Sequence, residues 1–216
     1  NRIVAVGSPT QLVTSNGALG APRAWTTITV PSANAVGLPD GQTYRWSDVA
    51  FGNGLFVAIG GANTNQHVLT SPDGITWTTR SAATFRSVEY GNGMFVAQSY
   101  SGSNVAISLD GITWQPPTPA VVSNTAYSYS TLNPTKPAYG NGLFVAVARG
   151  NLNVALTSSN GTHWTASSLP RNPSGSDQWA SVAYGDGRWL ATNSGQGGWM
   201  ASSTDGYNWT AIRHPT

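Results

Sequence analysis

An internal repeat is the feature that most constrains how this chain of 216 residues can fold. Four segments share an aromatic residue, a Gly-x-Gly step and an apolar run: Trp46–Ile59, Phe85–Ala97, Ala138–Val147 and Trp179–Ala191. Each is followed by a second motif that contains Ser, Asp or Asn, Gly and Trp: Ser71–Trp77, Ser108–Trp114, Ser158–Trp164 and Ser203–Trp209. The Asp or Asn of the second motif recurs at positions 73, 110, 160 and 205, at intervals of 37, 50 and 45 residues. Such a period is typical of propeller blades or solenoid turns.

The content of each repeat predicts four short antiparallel strands. No window shows helical periodicity, and the Gly-Asn-Gly and Asp-Gly steps supply the positive φ that tight hairpin turns require. The continuous apolar run Leu55–Ile59 predicts a strand buried on both faces. We therefore predict an all-β fold, a five-bladed β-propeller of four-stranded antiparallel blades. It forms one domain over 1–216, with repeat units at 1–30, 44–81, 84–117, 135–168 and 178–213.

The first repeat is degenerate. Arg2–Val6 matches the apolar strand, Thr14–Gly17 matches the Asp-Gly turn, and Trp25 takes the place of the repeat Trp. The strand equivalent to Trp46–Phe51 is missing, so the five units supply nineteen strands instead of twenty. Because an unpaired edge is a liability, we expect one of three outcomes: a strand upstream of Asn1, coverage by a neighbouring chain, or a three-stranded first blade. The upstream strand is favoured, and coverage by a partner comes second.

Composition argues against several classes of function. Charged residues make up 8% of the chain and the formal net charge is +2, without a basic cluster. The sequence therefore predicts no nucleic-acid partner. No stretch approaches 18 consecutive apolar residues, which predicts no membrane span. The chain has no cysteine, and its low charge and abundant Ser, Thr, Asn and Gly favour an extracellular location, secreted or on a virion surface.

The second motif carries a resemblance to a known family. Ser71-Pro-Asp-Gly-Ile-Thr-Trp77 resembles the Asp-box repeat of bacterial neuraminidases, although it is one residue shorter. The preceding Tyr-Gly-Asn-Gly-Leu-Phe-Val-Ala segment is similar to propeller repeats of bacterial exported proteins and phage tail proteins. Five-bladed propeller lectins are similar to the chain in size and repeat number. The resemblance implies a propeller fold, and it implies much less about function.

We interpret the Asp-box residues as structural, because a turn carboxylate or hydroxyl accepts backbone N–H groups and a Trp side chain buries a large area. The structural Asp-box set is Ser71, Asp73, Trp77, Ser108, Asp110, Trp114, Asn160, Trp164, Asp205 and Trp209. Trp25 is expected in the core with the other repeat tryptophans. The aromatic residues that begin each repeat, Trp46, Phe85 and Trp179, are also expected to be framework.

The sequence offers little for catalysis. The sialidases that share the Asp box use an arginine triad, a Tyr/Glu pair and an acidic proton donor, whereas Glu89 is the single glutamate here. Outside the turns, only Asp40, Asp48 and Asp177 remain, which is a thin supply for paired carboxylates. His67, His163 and His214 lack ligand spacing. We therefore expect no catalytic residues, no metal, no cofactor and no enzymatic activity.

The variable loops predict where a ligand binds. Because strands alternate in direction, the two short turns of each unit lie at one end, and the loops of variable length lie at the other. Exposed aromatic residues mark contacts more often than tolerated insertions do. The predicted ligand-binding residues at the variable end are Tyr44, His67, Tyr100, Tyr127, Tyr129, Arg149, Asn151, Gln196 and Trp199. Packing of Trp199 between blades is an equally weighted alternative.

These observations favour a lectin-like recognition module that binds neutral glycans or a host-surface polysaccharide. Amide and hydroxyl groups with flat aromatic rings suit neutral sugars, whereas the low charge does not suit anionic ligands. The alternative is a structural or assembly protein without a small ligand. It would be part of a phage tail fibre, a virion appendage or an extracellular filament, and its partners would be copies of itself or other virion or filament subunits.

Overall fold

The computed structural model describes residues 2–7, 11–15, 25–28, 45–62, 65–82, 84–99, 102, 104–123, 126–150, 152–172, 175, 177–195 and 199–213. Within these ranges the chain forms twenty strands and a single helix of four residues, α1 (Tyr129–Leu132). This nearly all-β content confirms the predicted fold class. No helix among the described residues has the length and apolarity needed to cross a bilayer.

The strands form five sheets that follow the repeats in order. The first sheet contains β1 (Ile3–Gly7), β2 (Gln11–Ser15) and β3 (Thr26–Ile28). The second contains β4 (Arg45–Gly52), β5 (Leu55–Ala62), β6 (Asn65–Ser71) and β7 (Thr78–Ala82). The third contains β8 (Phe85–Gly91), β9 (Met94–Ser99), β10 (Asn104–Ser108) and β11 (Thr118–Pro119).

The remaining two sheets complete the series. The fourth contains β12 (Val121–Val122), β13 (Ala138–Gly140), β14 (Leu143–Val147), β15 (Val154–Ser158) and β16 (His163–Ser168). The fifth contains β17 (Trp179–Gly185), β18 (Arg188–Asn193), β19 (Trp199–Ser203) and β20 (Thr210–Arg213). The three strands of the first sheet agree with the missing strand inferred from the sequence.

The chain divides into two compact units. One comprises 1–100 with 108–114, and the other comprises 101–107 with 115–216. The division falls within the third sheet. The first unit therefore contains the first two sheets with β8 and β9, and the second contains the last two sheets.

Register places the short turns of a sheet together. In the second sheet, Gly52 pairs with Leu55 and Phe56 pairs with Ser71, so the Gly-x-Gly turn and the Asp-box turn lie at the same end. Asn53 and Gly54 have φ of 49° and 72°, the left-handed region that this tight turn requires. We call this the turn end of a sheet and the opposite end, where the longer connections lie, the loop end.

In the first unit, the first and second sheets share a core. It contains Leu12 and Ile28 from the first sheet and Trp46, Phe56 and Trp77 from the second, all buried. Trp25 departs from the core position expected for it, because its side chain is 49% exposed whereas that of Trp77 is 4% exposed. Trp77 packs against the ring of Phe56 at 6.4 Å. The equivalent residue in the first sheet is the aliphatic Ile3, which offers Trp25 no such ring.

In the second unit, the fourth and fifth sheets pack together through Val145, Val147, Trp179 and Trp189, which are buried. The fourth sheet also has a strand that the repeat did not predict. β12 pairs in parallel with the outer strand β16, and the Val121 amide donates to the Thr162 carbonyl at 2.9 Å. The long connection that follows the third repeat therefore adds a fifth strand to the next sheet.

Candidate recognition surface

The Asp-box turns are hydrogen-bonded networks that close on themselves. Ser71 Oγ donates to Asp73 Oδ1 at 2.9 Å and accepts the Gly74 amide at 2.8 Å. Asp73 Oδ1 also accepts the amides of Ile75 and Thr76, both at 2.8 Å. These three groups occupy one carboxylate oxygen, so the side chain folds its own turn.

The same network recurs at the other three motifs. Asp110 and Asp205 accept two backbone amides each, and Asn160 does so with its amide oxygen. The backbone hydrogen bonds hold the pKa of Asp73 and Asp110 at about 2 and lower that of Asp205 further. A neutral Asn in the third position shows that the hydrogen bonds, not the charge, define this geometry.

The Gly and Trp of the motif fix the turn against its surroundings. A Cβ at Gly74 would lie 2.9 Å from Val4 Cγ2, and one at Gly206 would lie 3.3 Å from Val145 Cγ2, so both turns pack closely on the preceding sheet. Trp164 Nε1 donates to the Gly161 carbonyl at 3.0 Å. Trp77 and Trp164 are buried, and Trp114 and Trp209 are half-buried. These contacts give the motif a structural role at the turn end.

The structure describes five of the nine residues predicted to bind a ligand. Tyr44, Tyr100, Asn151 and Gln196 lie outside the described residues. His67 belongs to the first unit, and Tyr127, Tyr129, Arg149 and Trp199 belong to the second.

Tyr129 is not available to a ligand, which corrects its assignment. Its side chain is 2% exposed, and its ring lies 5.5 Å from that of Trp164. It begins helix α1, which Ser128 caps by accepting the Thr131 amide at 3.2 Å. Its place in a long connection suggested exposure, but the helix turns this side chain into the core of the fourth sheet.

The buried helix instead fixes its neighbours at the loop end of the fourth sheet. Arg149 donates its amide to the Leu132 carbonyl at 3.2 Å, which joins the loop after β14 to the end of α1. The Arg149 side chain is exposed, and Tyr127, two residues before α1, is half-buried. Tyr127 and Arg149 therefore flank one anchored segment.

A buried polar network that the sequence analysis missed holds the adjacent connection. Asp177 accepts the Asn172 amide at 2.7 Å and the Asn153 side-chain amide at 2.8 Å. Asn153 in turn accepts Trp179 Nε1 at 3.0 Å. Because these groups are far apart in sequence and share no motif, only their positions in space connect them. The network ties the connection before the fifth sheet to the start of β15.

Trp199 lies at the loop end of the fifth sheet. It begins β19, opposite Arg213, and its side chain is half-buried. The neighbouring strand ends at Asn193, whose Oδ1 accepts the Gly195 amide at 2.7 Å and the Gln178 amide at 3.3 Å. The loop that precedes Trp199 is therefore tethered where it leaves β18.

His67 lies at the loop end of the second sheet, in β6 opposite Gly60. Partial burial lowers the pKa of its imidazole, so the neutral form is favoured at pH 7. This residue is described here only within the first unit.

The acidic residues outside the Asp boxes have structural partners. Asp48 accepts the Val49 amide and the Val88 amide, each at 2.9 Å, and so joins β4 to β8. Asp177 belongs to the network described above. No group of three or more acidic or histidine side chains among the described residues is arranged to hold a metal ion.

Comparisons with known proteins extend these observations at the level of the fold. No protein-family model and no curated protein sequence matches the chain. Among solved structures, YCF48 bound to D1 peptide is 18% identical, with a TM-score of 0.62 over 97% of this chain. The chain spans 64% of the length of that YCF48 chain.

Two further structures are similar to the chain. A virginiamycin B lyase from Staphylococcus aureus with quinupristin is 11% identical, with a TM-score of 0.64 over 99% of this chain and 69% of the lyase. The WD40 β-propeller domain of Doa1 is 11% identical, with a TM-score of 0.53 over 98% of this chain and 64% of that chain. The lyase corrects the expectation that the chain is not an enzyme, because this fold carries an enzyme. The five repeat-derived sheets and these similarities together establish a β-propeller fold.

Proposed function

We propose that the protein is an extracellular recognition module that binds neutral glycans at the loop ends of the fourth and fifth sheets. The observation that carries the proposal is the anchoring of an aromatic and an arginine side chain by buried groups. Tyr129 and Leu132 hold α1 in the core, and the Arg149 amide bonds back to the helix. Tyr127 and Arg149 are thus displayed on a connection that is already ordered.

Order before binding favours recognition, because a fixed loop loses little conformational entropy when a ligand arrives. The Asp177 network contributes in the same way beside Trp179. An aromatic ring provides a flat apolar face for a sugar, and the arginine provides fixed hydrogen-bond donors for hydroxyl groups. Trp199 supplies a second half-exposed ring in the same unit.

A glycan array followed by calorimetry tests this function with the 216-residue chain. We expect a neutral glycan to bind, and we expect Tyr127→Ala and Trp199→Ala each to weaken binding by about tenfold. Tyr207→Ala is the matched control, because Tyr207 is a comparably exposed aromatic residue on an Asp-box turn at the turn end. Its removal should leave the affinity unchanged.

Two results would contradict the proposal. One is the absence of glycan binding together with formation of higher-order assemblies, which would favour a structural subunit of a filament or virion appendage. The other is glycan binding that Tyr207→Ala weakens and Tyr127→Ala leaves intact, which would move the site to the turn end.

A further inference from the structure

A contact between an aromatic ring and a glycine is repeated in both units. The aromatic residue near the end of a first strand packs on the glycine that ends the first strand of the preceding sheet. A Cβ at Gly52 would lie 2.0 Å from Tyr90 Cγ, and one at Gly140 would lie 2.1 Å from Tyr184 Cγ. Each ring therefore occupies space that only a glycine leaves open.

Phe51 is the equivalent residue of the second sheet, and it has no such glycine among the described residues. Its ring pairs with Phe56 at 4.5 Å, as Tyr90 pairs with Phe95 at 4.7 Å. The preceding sheet is the first one, which lacks the strand that would end in the glycine. The Phe51 side chain is consequently 56% exposed.

The strand β1 presents the backbone edge at which that strand is missing. Ile3 pairs with Ser15 as Phe56 pairs with Ser71, so β1 corresponds to β5 and Arg2 takes the place of Leu55. Among the described strands, β1 pairs only with β2. Ile3 is 39% exposed, whereas Phe56 is 9% exposed. An edge strand of this kind is a template for pairing with another chain.

A cavity lies beside the same groups. It measures about 620 Å³ and is lined by Arg2, Phe51, Phe56, Pro72 and Asp73. Cavities of several hundred Å³ accommodate ligands of moderate size. The two exposed apolar groups, the backbone edge and the cavity all belong to the first unit.

We propose that the free edge of β1 and this cavity bind one extended strand of another protein. The strand carries an aromatic residue followed by Gly, as in Tyr90-Gly91, with the aromatic opposite Ile3 and the Gly opposite Arg2. The ring of Phe51 then packs on that Gly, as Tyr90 packs on Gly52. Addition of a strand to a sheet edge is a recurrent mode of peptide recognition. A second copy of this chain cannot donate such a strand without unfolding, because β4, β8, β13 and β17 are each paired in their own sheets.

A labelled synthetic peptide with the sequence 85–93 tests the proposal by fluorescence anisotropy with the 216-residue chain. We expect binding at one peptide per chain. Replacement of the peptide glycine that corresponds to Gly91 by valine should weaken binding about tenfold or more, because a Cβ there meets Phe51. Phe51→Ala in the protein should weaken it similarly, whereas Leu109→Ala is a control at an exposed residue of another turn.

Backbone methylation provides a test that does not depend on protein variants. In an antiparallel pair only alternate residues of the peptide direct their N–H groups toward β1. Methylation of one alternate set of amides should abolish binding, and methylation of the other set should retain it. The proposal is overturned if the peptide does not bind at millimolar concentration, if both methylated sets bind equally, or if neither the valine peptide nor Phe51→Ala has an effect.

Discussion

Two glycines at the same place in the repeat should respond oppositely to substitution by alanine. Gly140 and Gly185 each end the first strand of a sheet in the second unit, and neither has a positive φ. A Cβ at Gly140 would lie 2.1 Å from Tyr184 Cγ, whereas one at Gly185 would meet no described atom within 4 Å. Gly140→Ala must therefore displace the Tyr184 ring by more than about 1 Å to reach an ordinary contact distance.

The expected free energies of unfolding follow from these distances. Overpacking of this kind costs about 1–3 kcal/mol, and for a chain of this length each kcal/mol lowers Tm by roughly 2–4 °C. A central value of about 2 kcal/mol corresponds to a decrease of about 4–8 °C. Gly185→Ala restricts the unfolded chain without a clash, so it should be neutral or stabilising by up to about 1 kcal/mol.

Urea unfolding and thermal melting of both variants provide the measurement, with the double variant Gly140→Ala, Tyr184→Ala as an internal check. Removal of the ring removes the clash, so the double variant should be more stable than the sum of the two single effects predicts. Equal Tm values for Gly140→Ala and Gly185→Ala would refute the claim that the ring packs on the glycine. Strictly additive single and double variants would refute it as well.

Three further predictions concern the turns and the tryptophans. The lowered pKa of the Asp-box carboxylates stabilises the fold above about pH 4, and this stabilisation is lost as pH falls toward 2. A variant with all three carboxylates replaced by Asn should still fold at pH 7, as Asn160 does in its turn, and should lose less stability than the wild type between pH 5 and 2.5; an equal loss in urea midpoint would count against this cause. The three substitutions are Asp73→Asn, Asp110→Asn and Asp205→Asn. Trp77→Ala should cost about 3–5 kcal/mol because the side chain is buried, and Trp25→Ala should cost about 0.5 kcal/mol or less because half of it is exposed; similar urea midpoints for the two would contradict the assigned burial. Tyr129→Ala should release α1 and increase proteolysis within 123–137, and unchanged cleavage would show that Tyr129 does not anchor the connection.

The repeat was sufficient to predict the local architecture because it is written in short-range signals. Gly-x-Gly and Asp-Gly specify turns through backbone conformation, and the apolar run Leu55–Ile59 specifies a strand buried on both faces. The same signals located the three-stranded first sheet, since a missing strand is a missing stretch of sequence. The resemblance to the Asp box also indicated which turn side chains would bond to their own backbone.

The loop ends depended on contacts that no local pattern encodes. Tyr129 has the composition and position of an exposed loop aromatic, yet it packs on Trp164, which is 35 positions later in the chain. The Asp177 network joins residues from three separate segments. Trp25 keeps its place in the repeat but loses its ring partner, because the partner position holds Ile3. Sequence by itself determined the turns, the strands and the number of sheets, because each depends on neighbouring residues. Which aromatic side chains are buried and which are available to a partner was decided by the tertiary structure alone, because burial depends on what the fold places opposite each ring.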